Sequence, residues 1–135
     1  MTYNKLQIFT DGGARGNPGP AGIGVVIWSG NELVGRHKKY IGKATNNQAE
    51  YKAVILALEE AKKLEPVELE FFLDSELVVK QLNREYKVKD KNLAPLFVQV
   101  WNASMGFKKV TFIHVPREKN KDADKLVNEA IDLGT

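Results

Sequence analysis

The sequence predicts an α/β domain: a mixed sheet with helices packed on it, in the order βββαβααβα. Three observations carry this. The amino-terminal third holds apolar runs separated by short turn signals, as in an antiparallel meander. A long segment with helical periodicity follows, striped with alanine. Strand and helix patterns then succeed one another to the carboxyl end, which places helices against a sheet. At 135 residues, 43% hydrophobic and 27% charged, the chain has the size and balance of one globular domain. Residues 1–135 are therefore read as a single domain with a core that needs no staples.

Lys5–Thr10 is the first strand, and Asp11–Pro20 the glycine-rich turn after it. Gly22–Trp28 is an apolar second strand, Ser29-Gly30-Asn31 a hairpin signal and Glu32–Ile41 the returning third strand. Asn46–Leu64 has helical periodicity. Ala49, Ala53, Ala57 and Ala61 lie on one face, where small side chains let the helix approach a sheet closely. Pro66 marks the exit. Val67–Leu73 alternates as a fourth strand, with Val67, Leu69, Phe71 and Leu73 on one face. Ser75–Asn83 is a short helix, Arg84–Asn92 a polar basic connection, and Leu93–Met105 a helix that tolerates Pro95 in its first turn. Lys108–Val115 is the fifth strand, Pro116–Asn120 a loop and Lys121–Leu133 the last helix.

Composition excludes several classes. Without cysteine there is no disulfide, thiolate metal site or cysteine nucleophile. No apolar run approaches the ~20 residues of a membrane span, and Met1–Gln7 has no signal pattern. A soluble, cytoplasmic protein is the expectation, with a monomer as the default. A net charge of +3, from 20 basic and 17 acidic residues, suits a polyanionic partner and equally a mildly basic protein with none.

Four acids occupy unusual positions. Asp11 and Asp74 each follow a strand, and parallel neighbouring strands would set them side by side at the ligand-binding end of the sheet. Glu50 shares a helix face with Val54, Ala57 and Leu58, and Asp124 shares one with Val127 and Ile131. A carboxylate beside an apolar stripe is costly unless compensated. Four carboxylates, no cysteine and two histidines favour oxygen-loving cations, Mg2+ or Mn2+, over zinc. Two such ions about 4 Å apart suit phosphodiester hydrolysis. Taken singly, each acid has an ordinary alternative. Asp74 suits a helix cap, Asp11-Gly12 a turn, and Glu50 and Asp124 the positive end of a helix dipole.

The surrounding motifs go further. Thr10-Asp11-Gly12-Gly13-Ala14-Arg15-Gly16-Asn17-Pro18-Gly19-Pro20-Ala21-Gly22 resembles the opening signature of type 1 ribonuclease H. Ala44-Thr45-Asn46-Asn47-Gln48-Ala49-Glu50-Tyr51-Lys52-Ala53 resembles its second motif, and Leu73-Asp74-Ser75-Glu76-Leu77-Val78 its third. Asn120-Lys121-Asp122-Ala123-Asp124-Lys125-Leu126-Val127-Asn128 resembles the fourth. The four stand in family order and span nearly the whole chain. The resemblance implies a ribonuclease H-like fold: a five-stranded mixed sheet in the order 3-2-1-4-5, flanked by helices. It implies endonucleolytic hydrolysis of the RNA strand of RNA–DNA hybrids with Mg2+ or Mn2+, two ions per site, leaving 5′-phosphate and 3′-hydroxyl ends.

By motif position, Asp11, Glu50, Asp74 and Asp124 would be the catalytic metal ligands. Asp11 would bridge both ions. Glu50 would ligate one ion and approach the RNA 2′-hydroxyl, and Asp124 would ligate the other. Gly12 and Gly13, with Asn17, Asn46, Asn47 and Gln48, would contact the minor groove, where 2′-hydroxyls distinguish RNA from DNA. Thr45 matches a position that helps hold a DNA-strand phosphate, and Thr45 or Asn46 also suits the helix cap. A-form geometry leaves double-stranded RNA open as a further substrate. A non-catalytic binding module is disfavoured, because four acids repel phosphate unless a cation is present.

Two departures from the family pattern stand out. Many members carry a loop histidine before the fourth motif. Here His114 lies within strand periodicity and is read as structural, while Arg117 lies nearer the expected loop position. Arg117 suits an auxiliary role that neutralises a phosphate, and equally a surface ion pair, but it cannot take up a proton. Residues 84–92 stand where some members insert a helix and a basic loop. They suit a reduced substrate handle or a plain solvated connection, and predict hybrid binding that is weaker and steeply salt-sensitive.

Overall fold

The computed structural model describes residues 3–134. Met1, Thr2 and Thr135, which the single-domain reading also takes in, lie outside the described residues. Three consecutive strands form the meander: β1 (Lys5–Ala14), β2 (Gly19–Ser29) and β3 (Glu32–Ala44), each antiparallel to the next. Helix α1 (Asn46–Lys63) crosses back, so that β4 (Glu68–Leu73) pairs parallel with the free side of β1. Helices α2 (Glu76–Leu82) and α3 (Ala94–Ser104) lead to β5 (Lys109–His114), which adds parallel to β4. A 3-10 turn (Arg117–Lys119) and helix α4 (Lys121–Leu133) complete the chain. The sheet order is β3-β2-β1-β4-β5, as the motifs implied. No helix among the described residues is long and apolar enough to cross a membrane.

Side-chain alternation divides the sheet into two faces. Leu6, Ile8, Val25, Ile27, Leu69, Phe71 and Leu73 join the main core with Tyr51, Val54, Ala57 and Leu58 of α1. Phe71 stacks on Phe112, with ring centroids 5.3 Å apart. On the opposite face Val26 packs with Ala123 and Leu126 of α4, flanked by Phe9 and Trp28.

The small residues set how closely helices lie on the sheet. Ala49, Ala53, Ala57 and Ala61 are fully buried. A Cβ on Gly12 would collide with the Ala49 carbonyl group, so α1 rests on bare β1 backbone there. Helix α4 is seated the same way. A Cβ on Gly24 would lie 2.5 Å from the Ala123 carbonyl oxygen, and one on Gly22 would lie 2.8 Å from that of Val127.

The main departure from the predicted elements concerns the glycine-rich turn. Strand β1 does not stop at Thr10, nor does β2 wait for Gly22. The ladder continues through Gly12↔Ile23, Gly13↔Gly22 and Ala14↔Ala21, and the Arg15 N–H donates to the Pro20 carbonyl at 2.9 Å. Turn propensity yields because the neighbouring strand supplies backbone partners and the helices need the missing side chains. Strand β3 likewise runs past Ile41 to Ala44, through a bulge that leaves Ile41 without a partner on β2. Val67 falls just before β4 and is 37% exposed, not part of the buried row.

Replacing Gly24 by alanine is expected to push α4 off the sheet and to cost about 1–3 kcal/mol, as overpacking does. Urea unfolding of Gly24→Ala against the native chain measures it, and an unchanged midpoint would contradict the close seat of α4.

Candidate active site

Parallel pairing between β1 and β4 ends at Phe9↔Phe72. Beyond that point β1 runs on alone beside β2, so Asp11 lies past the end of its parallel neighbour while paired to Gly24 on the other side. Asp74 follows the last residue of β4. The two acids therefore meet at the carboxyl end of the parallel strands, as their positions in the sequence suggested. The first turns of α1 bring in Glu50, because Gly12 lets the helix come down onto β1. Carboxylate oxygens of Asp11, Glu50 and Asp74 all lie within 4.8 Å of one another. Asp124, in the first turn of α4, lines the same open cleft of about 520 Å³.

The electrostatics of this cluster are unfavourable for the chain alone. Asp11 is pushed up to about 7, first by burial and then by the charge of Asp74. Glu50 is raised well above the ordinary range, again by burial and then by Asp11 and Asp74, although the Gly12 N–H donates to its Oε1 at 2.6 Å and opposes the shift. Burial raises Asp74 too, and nearby Arg117 is the largest opposing influence. Three acids this close cannot all ionise at neutral pH without a compensating charge. Their donor atoms are hard carboxylate oxygens, and the set fits a hard divalent cation.

The remaining predicted residues divide into two groups. Gly12, Gly13, Asn46 and Asn47 line the cleft. The Gly12 N–H is committed to Glu50, so Gly12 serves the carboxylate before any ligand. Asn46 is part of a brace: its Oδ1 accepts from the Ala14 N–H at 2.9 Å, and its own N–H donates to Asn17 Oδ1 at 3.0 Å. Asn17 thereby ties the β1–β2 turn to the start of α1. Thr45 is the helix cap. Its hydroxyl accepts from the Gln48 N–H at 3.1 Å, and its N–H donates to Gln48 Oε1 at 2.8 Å.

Arg117 stands in the 3-10 turn, lines the cleft and acts on Asp74. His114 ends β5, pairs with Leu73 and is exposed. It is absent from the cleft lining. In the 84–92 segment, the Arg84 guanidinium lies 4.1 Å over the Trp101 ring and Lys80 lies 5.0 Å over Tyr86. Lys87, Lys89 and Lys91 are exposed.

Residues 9–130 match a family model described as reverse transcriptase-like. A ribonuclease H of Erythrobacter litoralis is 32% identical over 148 positions, spanning 96% of this chain and 97% of that protein. The chain belongs to the ribonuclease H family, type 1. Ribonuclease HI of Halobacterium salinarum is 43% identical, covering 95% of this chain and 65% of that protein. The bifunctional protein Rv2228c of Mycobacterium tuberculosis is also 43% identical over 95% of this chain, which spans only 36% of its length. Among solved structures, the amino-terminal ribonuclease H domain of that mycobacterial protein superposes with a TM-score of 0.94 over 97% of this chain and 96% of that one, at 42% identity. A structure of LC11-RNase H1 in complex with RNA/DNA hybrid superposes with a TM-score of 0.89 at 49% identity, over 94% and 96% of the two chains.

Within this ribonuclease H fold, the sequence reading passed over several residues at the cleft. Arg15 reaches from the turn to α4, pairing with Asp132 at 2.7 Å and meeting Asn128. Ser75 caps α2 beside Asp74. Asn120, quoted in the fourth motif without a role, is buried against Thr10. Only its polarity just ahead of an apolar helix face hinted at this.

The raised carboxylates carry a pH dependence whose sign follows from Asp11. Between pH 3.8 and about 7 the folded chain holds a proton that the unfolded chain has released. The stability that Asp11 contributes to the cation-free protein is therefore fully present below about pH 4 and lost as pH rises through 7. Urea titrations with chelator at pH 5 and pH 8 should give the lower midpoint at pH 8, and added Mg2+ or Mn2+ should recover it. Equal midpoints at both pH values would count against a strained carboxylate cluster.

Proposed function

We propose that this domain hydrolyses the RNA strand of RNA–DNA hybrids, using two divalent cations, Mg2+ or Mn2+, and leaving 5′-phosphate and 3′-hydroxyl ends. The observation that carries the reading is the convergence of Asp11, Glu50 and Asp74 at the end of the parallel strands, with Asp124 on the same cleft. Family membership and the hybrid complex of the related LC11 protein support it. Bound divalent cations supply activation of water and stabilisation of the leaving oxygen in this chemistry.

Each part of the chain has a definable task. Asp11 and Asp74 form the centre of the cation site, Glu50 joins from α1 and Asp124 from α4. Glu50 is held in place by the Gly12 N–H. The bare backbone at Gly13 leaves space, since even an added Cβ would find its nearest atom 3.7 Å away. Asn47 and the amide of Asn46 present polar groups for 2′-hydroxyls along the minor groove. Thr45 and Gln48 fix the start of α1, from which those groups project. Arg117 is suited to neutralise phosphate charge as an auxiliary.

Asp74→Asn and Asp11→Asn are expected to lower cleavage by roughly 100-fold or more, since even partners outside the ligand shell cost 10- to 100-fold. Both should remain folded, because neutralising either acid relieves repulsion. Cleavage of matched RNA–DNA hybrid, double-stranded RNA and DNA duplexes, each with Mg2+ and with Mn2+, tests activity, substrate and cation together. Native-like hybrid cleavage by either variant would sink the proposal.

Arg117→Ala should reduce hybrid cleavage about tenfold, whereas His114→Ala should leave it near native. Initial rates at saturating and limiting hybrid measure both, and the opposite ranking would make His114 the functional residue.

A further inference from the structure

We propose that Asn120 is a positioning residue that sets the spacing of the carboxylates for divalent cations. This rests on the reading of those acids as cation ligands and assigns the group that holds them in register. Asn120 is 1% exposed, although a polar side chain gains little from such burial. Its Nδ2 donates to the Thr10 carbonyl at 2.9 Å, across 110 residues of sequence, and so fixes the backbone immediately before Asp11. The same side chain lies close enough to Asp74 to oppose the effect of burial on that carboxyl. Its backbone carbonyl accepts from the Asp124 N–H at 3.1 Å at the start of α4, and its own N–H donates to the Arg117 carbonyl at 2.9 Å.

One residue therefore links the β1 backbone beside Asp11 to the helix that carries Asp124 and the turn that carries Arg117, with Asp74 close by. A side chain selected for stability alone would satisfy both ends of its amide. Asn120 instead leaves its Oδ1 buried without a protein partner, an arrangement that calls for another reason to retain it. The donor end explains it. A neutral amide donates to the Thr10 carbonyl without adding a charge beside Asp74.

The test compares Asn120→Ala and Asn120→Asp with the native chain and with Val100→Ala, a core variant remote from the cleft. Mn2+ binding without nucleic acid is read from the electron paramagnetic resonance signal of free Mn2+, at a temperature where every variant is folded. Both Asn120 variants are expected to bind Mn2+ about 10- to 100-fold more weakly than native, while Val100→Ala binds as native does despite its lower melting temperature. Retained native affinity in Asn120→Ala or Asn120→Asp, or an equal loss in Val100→Ala, would overturn the proposal. Failure of both Asn120 variants to fold would also overturn it, by making the residue a determinant of the fold. A native chain that binds no Mn2+ would instead remove the underlying cation reading, so the two failures are distinguishable.

Discussion

The close approach of α1 to β1 at Gly12 is the constraint on which the site depends. Any side chain at that position would collide with the Ala49 carbonyl and lift the helix. The contact places the Gly12 N–H 2.6 Å from Glu50 Oε1 and holds an acid from a helix beside an acid from a strand. The alanine stripe extends the same closeness along α1, so that main-core packing and site geometry are one arrangement. The apolar area buried along that helix holds Glu50 in surroundings it would otherwise avoid.

The opposite face follows a parallel logic. Gly22 and Gly24 let α4 settle on β2, which brings Asp124 to the cleft. Asp11, Glu50 and Asp124 thus arrive from a strand and two closely seated helices, and Asp74 is the residue just after β4. A rigid cluster of like charges has no means of relaxing apart, which is why burial and mutual repulsion raise the pKa values of Asp11, Glu50 and Asp74 together. The strain is local to the end of the sheet. Elsewhere in the core the Tyr51 hydroxyl donates to Gln81 Oε1 at 2.7 Å and ties α1 to α2.

Much of this was legible beforehand, and the parts that were not share a cause. Helical periodicity located α1 to within one residue, and alternation located the buried row Leu69, Phe71 and Leu73. The glycine-rich segment misled because glycine signals a turn locally, while here the tertiary need is for strand backbone without side chains. Asn17 and Asn46 looked like groups for a ligand, yet both spend hydrogen bonds on bracing the turn against α1. The resemblance supplied a common role for the acids. It did not show that Gly12 donates to Glu50, or that Asn120 donates to Thr10.

The sequence by itself determined the element order, the acids at the strand ends and helix starts, and a preference for hard cations. These follow from local periodicity and from the chemistry of the side chains present. The tertiary structure alone decided that Asp11, Glu50 and Asp74 converge, that Arg117 and not His114 lines their cleft, and that the Asn120 amide is bonded to the backbone beside Asp11. Those outcomes depend on contacts between segments 38 to 110 residues apart. Such contacts are set by how closely two elements pack, a distance that no single segment encodes.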